Sequence, residues 1–440
     1  MKKITRREFA KHTGAAIAGL AAHSLLNTAD SWATPLRNTK LELKLRQDMV
    51  PDAVMNFMLK SFNNKNKDIL VKSSFVNADL GWNYEIEHAL EAPAWYTQGA
   101  HCDIFLSRGP ALAQLADAGV IIPIDDFLSP SGELRRDDFH SGRHGSVLDA
   151  ATYRGKLWGI PLIANTYALF CNKDLFAAGG VEKAPETWEQ TIAAARAMTR
   201  DTNGDSEPDV FGYSQCSFQF PLQILSAGLD IVDLKNKRVP FDTEAGLEAL
   251  DVYRRCIAWS PEHVDFERGD MGMKISVTTN AFGRYKNINH FTAPLPAGRR
   301  RANTYGDSDG IVALAVSSRC DAEKQQAARR FIEFMSSEKT FFALTETAHH
   351  LPLRRSILAS EKYAAYLEKY PVMKAFVNEL EYAVPKPCIP EFRFIEVVMR
   401  EILYPVQETS DPMSVSLDTL REHLKKQAAR ANELLKKSAW

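Results

Sequence analysis

The chain has 440 residues, of which 45% are hydrophobic and 25% charged, and its formal net charge is −1. A chain of this length is too long to fold around a single hydrophobic core, so two lobes or domains are expected. The balanced charge argues against a nucleic-acid-binding protein, which would carry a basic excess. After the first few dozen residues no apolar run approaches the roughly 20 residues of a membrane-spanning helix.

Residues 1–33 contain the three parts of an export signal in the correct order. Residues 5–11 read Thr-Arg-Arg-Glu-Phe-Ala-Lys, a twin-arginine signature within a basic region. A moderately apolar stretch covers 14–26, and Ser-Trp-Ala at 31–33 supplies small residues for a cleavage site. The alternative is an amphipathic first helix that contains two arginines by coincidence. We predict a twin-arginine signal peptide and a periplasmic mature protein.

The first part of the mature chain alternates between predicted strands and helices. Leucines alternate with charged residues over 41–45, which predicts a strand, and apolar residues at helical spacing over 55–62 predict a helix. Residues 69–76 and 102–106 are predicted strands, and a helix is predicted over 84–98 between them. Strands that alternate with helices are typical of a parallel, doubly wound sheet.

Polar loops follow the carboxyl ends of these three strands. In doubly wound sheets, ligands bind outside those ends. The candidate ligand contacts here are Asp48, Trp82, Tyr84, Ser107 and Arg108. Asp48 could instead cap the next helix, one of the two aromatic residues could pack beneath its loop, and Arg108 could simply be solvated. The pattern predicts a polar ligand at this edge of the sheet.

A second α/β region follows and ends in helices. Residues 167–171 form a strand-like run, and a helix is predicted to start at Thr187, which has Gln190 at the capping-box position. From residue 347 onward the pattern is mostly helical and ends with an amphipathic helix over 417–435. No flexible Gly/Ser linker separates the two regions, so short crossings and hinge motion are expected.

The six cysteines are scattered singly, without paired spacing. This distribution indicates neither a zinc site nor a dense disulfide framework. One or two bridges are compatible with an oxidising compartment, and burial as small hydrophobic residues is the alternative.

One acidic loop partly matches a calcium-binding pattern. Asp201, Asn203 and Asp205 have the spacing of its first three ligands, but Gly204 and Gly212 stand at the wrong positions. An exposed acidic turn is therefore expected, and no metal or cofactor is predicted.

Several motifs occur in one characteristic order along most of the mature chain. Tyr-Arg-Gly-Lys-Leu-Trp-Gly-Ile-Pro at 153–161 is followed by Tyr-Ala-Leu-Phe-Cys-Asn-Lys-Asp-Leu-Phe at 167–176 and by Ala-Pro-Glu-Thr-Trp-Glu at 184–189. Further matches lie at 119–128 and 293–296. Together the set resembles the family 1 extracellular solute-binding proteins of ABC importers, the group that includes maltose-binding protein and other sugar-binding relatives.

The resemblance implies an α/β, two-lobed periplasmic binding protein fold in which each lobe is a sheet flanked by helices and the ligand cleft lies between the lobes. It also implies a monomeric, non-enzymatic protein without cofactor that captures a sugar or oligosaccharide by hinged closure and delivers it to the permease subunits in the membrane. The expected lobes are 34–162 plus 292–345 and 163–291 plus 346–440, with crossings near 161–166, 291–296 and 343–352.

The same resemblance adds candidate ligand contacts at the crossings and on the second lobe. Sugars present hydroxyl groups and apolar C–H faces, which suit polar side chains beside aromatic rings. These further candidates are Asn165, Tyr167, Gln219, Phe220, Thr279, Asn280, Asp307 and Arg393.

Two other functions compete with solute transport. An exported carbohydrate-active enzyme is compatible with a twin-arginine signal, but the dinucleotide, zinc-protease and nucleophile-elbow motifs are absent from the sequence. A solute-binding partner of a sensor has the same sequence features as a transport protein. We expect the ligand to be a neutral oligosaccharide. Arg108 and Arg393 would equally suit an acidic sugar or a glycerophosphate-type compound, and a polyol is a further alternative.

Overall fold

The computed structural model describes residues 38–46, 52–76, 102–130, 132–260, 266–306, 311–438 and 440. The predicted signal peptide and the predicted helix over 84–98 lie outside these residues. Among the described helices, none has the length and apolar composition of a membrane span.

The strands of the described chain form two main sheets and three short pairs. In chain order they are β1 (Thr39–Arg46), β2 (Ile69–Val76), β3 (Ile104–Arg108), β4 (Ser141–Gly142), β5 (Gly145–Ser146), β6 (Thr152–Tyr153), β7 (Lys156–Leu157), β8 (Ile160–Ala164), β9 (Tyr167–Asn172), β10 (Phe211–Ser214), β11 (Met271–Val277), β12 (His290–Ala293), β13 (Asn303–Thr304), β14 (Ile311–Val316) and β15 (Ala383–Val384).

The helices pack on these sheets or on one another. They are α1 (Asp52–Lys65), α2 (Gly109–Asp117), α3 (Lys173–Ala178), α4 (Trp188–Met198), α5 (Phe220–Ser226), α6 (Glu244–Ile257), α7 (Thr278–Phe282), α8 (Ala322–Met335), α9 (Glu338–Ala348), α10 (Arg355–Leu358), α11 (Glu361–Lys369), α12 (Met373–Leu380), α13 (Phe392–Glu401), α14 (Tyr404–Gln407) and α15 (Leu417–Leu435). Short 3-10 turns lie at Asp125–Phe127, Arg136–Asp138, Val147–Ala151, Ser217–Gln219, Phe266–Arg268 and Pro412–Ser414.

The first sheet has the order β2-β1-β3-β14-β8, with β1, β2 and β3 parallel and β14 antiparallel to its neighbours. Leu41 and Leu43 are fully buried, and Met55 and Phe62 of α1 lie in the same core, so the strand and helix predicted from their spacing are confirmed. Helices α1, α8 and α9 pack together on this sheet. The sheet and its helices form the first lobe.

The third strand differs from its prediction over 102–106. It runs over Ile104–Arg108, so Ser107 lies within the strand rather than in the loop after it. The antiparallel partner β14, which is distant in sequence, pairs with residues 104–108 and extends the strand to Arg108.

The second sheet has the order β10-β11-β9-β12. Its strand β9 is buried along its whole length. Phe170 belongs to the core that reaches the first lobe, whereas Leu169 and Cys171 lie in a separate core beneath α4. A strand buried on both faces explains the continuous apolar run over 167–171. The second sheet and its helices, which include α5, α6, α13 and α15, form the second lobe.

The predicted helix start at Thr187 is confirmed by its side chain, whose Oγ1 accepts the N–H of Gln190 at 3.2 Å. The reciprocal half of the predicted capping box differs, because Gln190 Oε1 accepts the N–H of Glu186 instead of that of Thr187. The amphipathic helix predicted over 417–435 has those bounds and is capped by Ser416.

All six cysteines lie within the described residues, and none of them is bridged. Five are buried, and burial raises the pKa of thiols such as that of Cys388. They act as small core residues.

The acidic loop over 201–209 forms an exposed turn. The Asp201 carboxylate accepts the backbone N–H groups of Asn203, Gly204 and Ser206, and these hydrogen bonds, led by the one from Gly204, lower the pKa of Asp201. Within the described residues, no cluster of three or more His, Cys, Asp and Glu side chains could hold a metal ion.

Candidate functional site

Several strand termini share one edge of the first sheet. Because β14 pairs Ile311 with Ala164 and Val312 with Arg108, the ends of β3 and β8 lie beside the start of β14. Strands β1 and β2 run parallel to β3, so their carboxyl ends lie at this edge too. Loops that leave this edge are thus brought together.

The matching edge of the second sheet lies only two residues away along the chain. Strand β8 ends at Ala164 and β9 begins at Tyr167. Val277, the last residue of β11, pairs with Tyr167, so helix α7 starts at this edge. The end of β10 lies on the same side because β10 is parallel to β11. The junction of the two lobes therefore combines loops from both sheets.

Asn165 joins the segments that meet at this junction. Its side chain is fully buried, and its Oδ1 accepts the hydroxyl of Thr278 at 2.6 Å. Its backbone carbonyl accepts the N–H of Gly306 at 2.7 Å. A Cβ at Gly306 would lie 2.9 Å from Val277 Cγ1, so a larger residue would require the Val277 side chain or the loop to shift. Asn165 Nδ2 is buried without a hydrogen-bond partner among the described residues.

His350 completes this polar cluster from a third chain segment. Its Nδ1 lies 3.4 Å from Asn165 Oδ1, and the adjacent N–H of Leu351 donates to the Ala164 carbonyl. Burial, with a contribution from neighbouring His349, lowers the pKa of His350 to about 4. The imidazole is therefore neutral at pH 7. The adjacent residues His349 and His350 within the predicted crossing at 343–352 are the sequence signal for this residue, which is absent from the candidates predicted from the sequence.

Loss of the Thr278 hydroxyl is expected to weaken this junction. In Thr278→Val, Asn165 Oδ1 loses its short hydrogen bond in a buried site, and the free energy of unfolding should fall by about 1–2 kcal/mol. The control is Thr279→Val, a half-buried neighbour on the same turn, which should change it by less than about 0.5 kcal/mol. Urea titration followed by circular dichroism measures both; equal effects would contradict the role of the hydroxyl.

A buried carboxylate contacts the chain segment between β12 and β14, which is the second passage between the lobes. Glu379 of α12 accepts hydrogen bonds from Arg301 and from Asn303 Nδ2, each at 2.9 Å. The same Asn303 amide donates to the backbone carbonyl of Tyr167. Burial raises the pKa of Glu379, and Arg301 and Asn303 oppose that shift. This network ties the second passage to the start of β9.

The candidate contacts on the first lobe lie at the shared edge. Ser107 is buried inside β3, opposite Ala313, so only its position near the strand end places it close to the junction. Arg108 is half-buried at the end of the strand, directly before α2.

Three candidates on the second lobe lie in the protein interior. The ring of Tyr167 stacks on Phe218 at 5.5 Å and is 2% exposed. Gln219 is fully buried, accepts the hydroxyl of Tyr213 and donates to the Ser214 carbonyl. Phe220 is also fully buried, as the first residue of α5. Both residues belong to a 3-10 turn followed by this helix, and their side chains are enclosed there.

Thr279, Asn280 and Arg393 are half-buried. The first two lie on α7 at the junction, where Asn280 Nδ2 donates to Ser276 Oγ at 2.6 Å. Arg393 lies in the first turn of α13, close in sequence to Pro390, whose carbonyl accepts the side-chain amide of Gln114 in α2. Asp48, Trp82, Tyr84 and Asp307 lie outside the described residues.

The fold is shared with solved structures of low sequence identity. A solute-binding protein of an ABC transporter from Thermotoga lettingae, with alpha-D-tagatose bound, matches 90% of this chain and 100% of its own at 18% identity and a TM-score of 0.72. The cyclic alpha-maltosyl-1,6-maltose binding protein of Arthrobacter globiformis matches 91% and 100% at 19% identity and a TM-score of 0.73.

A third similar structure comes from Mycobacterium tuberculosis and holds glycerophosphocholine; it matches 90% of this chain and 99% of its own at 16% identity and a TM-score of 0.73. The family model of the bacterial extracellular solute-binding proteins matches residues 58–371, which is well over half of the chain. With two sheets joined at a polar junction and this match across both, the chain belongs to the bacterial extracellular solute-binding protein family.

Proposed function

We propose that this protein captures a carbohydrate between its two lobes and delivers it to the membrane subunits of an ABC importer. The observation that carries the proposal is the convergence of strand ends from both sheets at the Asn165 junction. Ligands of α/β proteins bind outside such strand ends.

The geometry of the connections supports hinged closure. The chain passes between the sheets at residues 165–166 and again between β12 and β14. A third passage lies between α9, which packs on α1, and α12, which packs on β9 and β12. The short connection at 165–166 allows two rigid lobes to rotate about a narrow hinge.

The ligand class rests on the similar proteins and on the candidate contacts. Two of the similar structures concern sugars and one holds a glycerophosphodiester. Trp82 and Tyr84 would stack on apolar sugar faces, with Asp48, Asn280 and Asp307 as hydrogen-bonding partners. A neutral oligosaccharide is the ligand that we propose first. An anionic ligand is the second candidate, because Arg108 and Arg393 would pair with its charge.

The lobe limits and the cellular setting belong to the same proposal. The lobes follow the predicted limits, 34–162 plus 292–345 and 163–291 plus 346–440, except where an element crosses a limit: β8 and α9 keep residues 163–164 and 346–348 in the first lobe, and β12 keeps 292–293 in the second. The protein acts as a periplasmic monomer after twin-arginine export. The arginine pair and cleavage site in residues 1–33 support this route.

A thermal-shift screen of the mature protein tests the proposed function. The panel contains mono-, di- and oligosaccharides, uronates, polyols, sugar phosphates and glycerophosphocholine, with amino acids as the control set. A ligand with a micromolar dissociation constant at millimolar concentration should add about 4 kcal/mol of stability. Stabilisation by amino acids alone, with none from the other compounds, would contradict the proposed ligand class.

A further inference from the structure

Ser438 and Trp440, which follow α15, contact the start of α13 through a buried carboxylate. Glu391 is 8% exposed, and each of its carboxylate oxygens accepts a hydrogen bond from this segment. Oε1 accepts from Ser438 Oγ at 2.7 Å, and Oε2 accepts from Trp440 Nε1 at 2.9 Å. Burial of a carboxylate without hydrogen-bond donors costs free energy, so these two donors determine where the Glu391 side chain can lie.

The segment that contains Glu391 also contacts the first lobe. The Cys388 thiol donates to the Gly109 carbonyl at 3.0 Å, and Gln114 Nε2 donates to the Pro390 carbonyl at 3.2 Å. Both partners lie on α2, the helix that begins directly after Arg108. Residues 388–391 therefore lie between the Ser438–Trp440 contacts and the end of β3.

Trp440 itself lies where the two lobes meet. Its half-buried ring packs against the large core that fills the first lobe and reaches into the second, and also against the helical core of the second lobe. It lines a groove of about 760 Å³ whose other walls include Tyr153, Val232 and Pro385. Lys237 Nζ lies 5.0 Å from the ring centre and donates to the Ser438 carbonyl, which fixes the segment from its other side.

We propose that Trp440 and Ser438 position residues 388–393 against α2. They thereby set the distance and orientation between Arg108 of the first lobe and Arg393 of the second lobe. Trp440 is a positioning residue that acts on the ligand site through Glu391. The inference rests on the proposed function, since it assigns these arginines to the solute site.

Hydrogen exchange of the ligand-free protein tests the positioning role without any ligand. In Trp440→Ala, the amides of residues 388–393 and those at the start of α2 should exchange at least about tenfold faster, while those of β9 should not change. Trp440→Phe retains an aromatic ring but lacks the indole N–H, and it should show a smaller increase in the same two segments. The control is Lys437→Ala, an exposed neighbour, which should match the wild type.

The carbohydrates that stabilise the wild type in the screen provide the second readout. Trp440→Ala should raise their dissociation constants about tenfold, and Trp440→Phe should do so less. Unchanged exchange in α2, or equally faster exchange throughout β9, would overturn the positioning role. If none of the compounds other than the amino acids binds the wild type, the proposed function fails, while the exchange comparison still decides the role of Trp440.

Discussion

Replacement of Glu379 by alanine is expected to lower the free energy of unfolding by about 2–3 kcal/mol. The carboxylate is fully buried and accepts hydrogen bonds from Arg301 and Asn303. Its removal leaves the Asn303 amide with one fewer acceptor at the second passage between the lobes. The Arg301 side chain is 38% exposed, so water compensates part of its loss and keeps the effect below that of a fully buried ion pair.

The matched control for this prediction is Glu381→Ala. Glu381 pairs with Arg143 at 3.3 Å, but both side chains are largely exposed, so the change should be below about 0.5 kcal/mol. Urea unfolding followed by circular dichroism measures both variants. Similar losses in the two variants would show that the buried network does not stabilise the junction.

The second large effect concerns pH and His350. Because burial depresses the pKa of His350 to about 4, the unfolded chain binds a proton at this residue near pH 6.5 and the folded chain only near pH 4. The free energy of unfolding therefore falls as the pH decreases from about 6.5 to about 4. By linkage, His350 should account for a loss of about 2 kcal/mol between pH 7 and pH 5.

His350→Gln separates this contribution from those of other titrating groups. A glutamine amide can still donate to Asn165 Oδ1 but does not titrate, so the variant should lose about 2 kcal/mol less than the wild type over the same pH interval. Unfolding free energies at pH 7, 6 and 5 provide the comparison. Parallel pH profiles for the two proteins would contradict a buried neutral histidine at the junction.

Regular elements with strong periodicity were predictable from the sequence. Leu41 and Leu43 marked a strand, and the spacing within 417–435 marked a helix with the observed bounds. These patterns are local, because a buried face repeats every two residues in a strand and every three to four in a helix. The alternation of strands and helices likewise indicated the α/β class.

The interior of the second lobe was harder to predict. Gln219 and Phe220 follow a short strand and resemble a polar loop in sequence, yet both are fully buried. Phe220 packs on Tyr253 of α6, with ring centres 6.0 Å apart. Tertiary contacts of this type leave no periodic signal.

The junction cluster was only partly predictable for the same reason. Asn165 was placed at a crossing by the family resemblance, but its partners Thr278 and His350 come from positions 113 and 185 residues away. A buried Glu379 also resembles an ordinary solvated helix residue in sequence. Such sites are defined by the meeting of remote segments.

Reversible, stoichiometric solute capture is tested most directly by calorimetric titration of the mature protein with the most stabilising compound of the screen. We predict saturation at one ligand per chain, and chromatography of the ligand after incubation should recover it unchanged. A ligand that is consumed by catalytic amounts of protein would instead identify an enzyme and contradict the account.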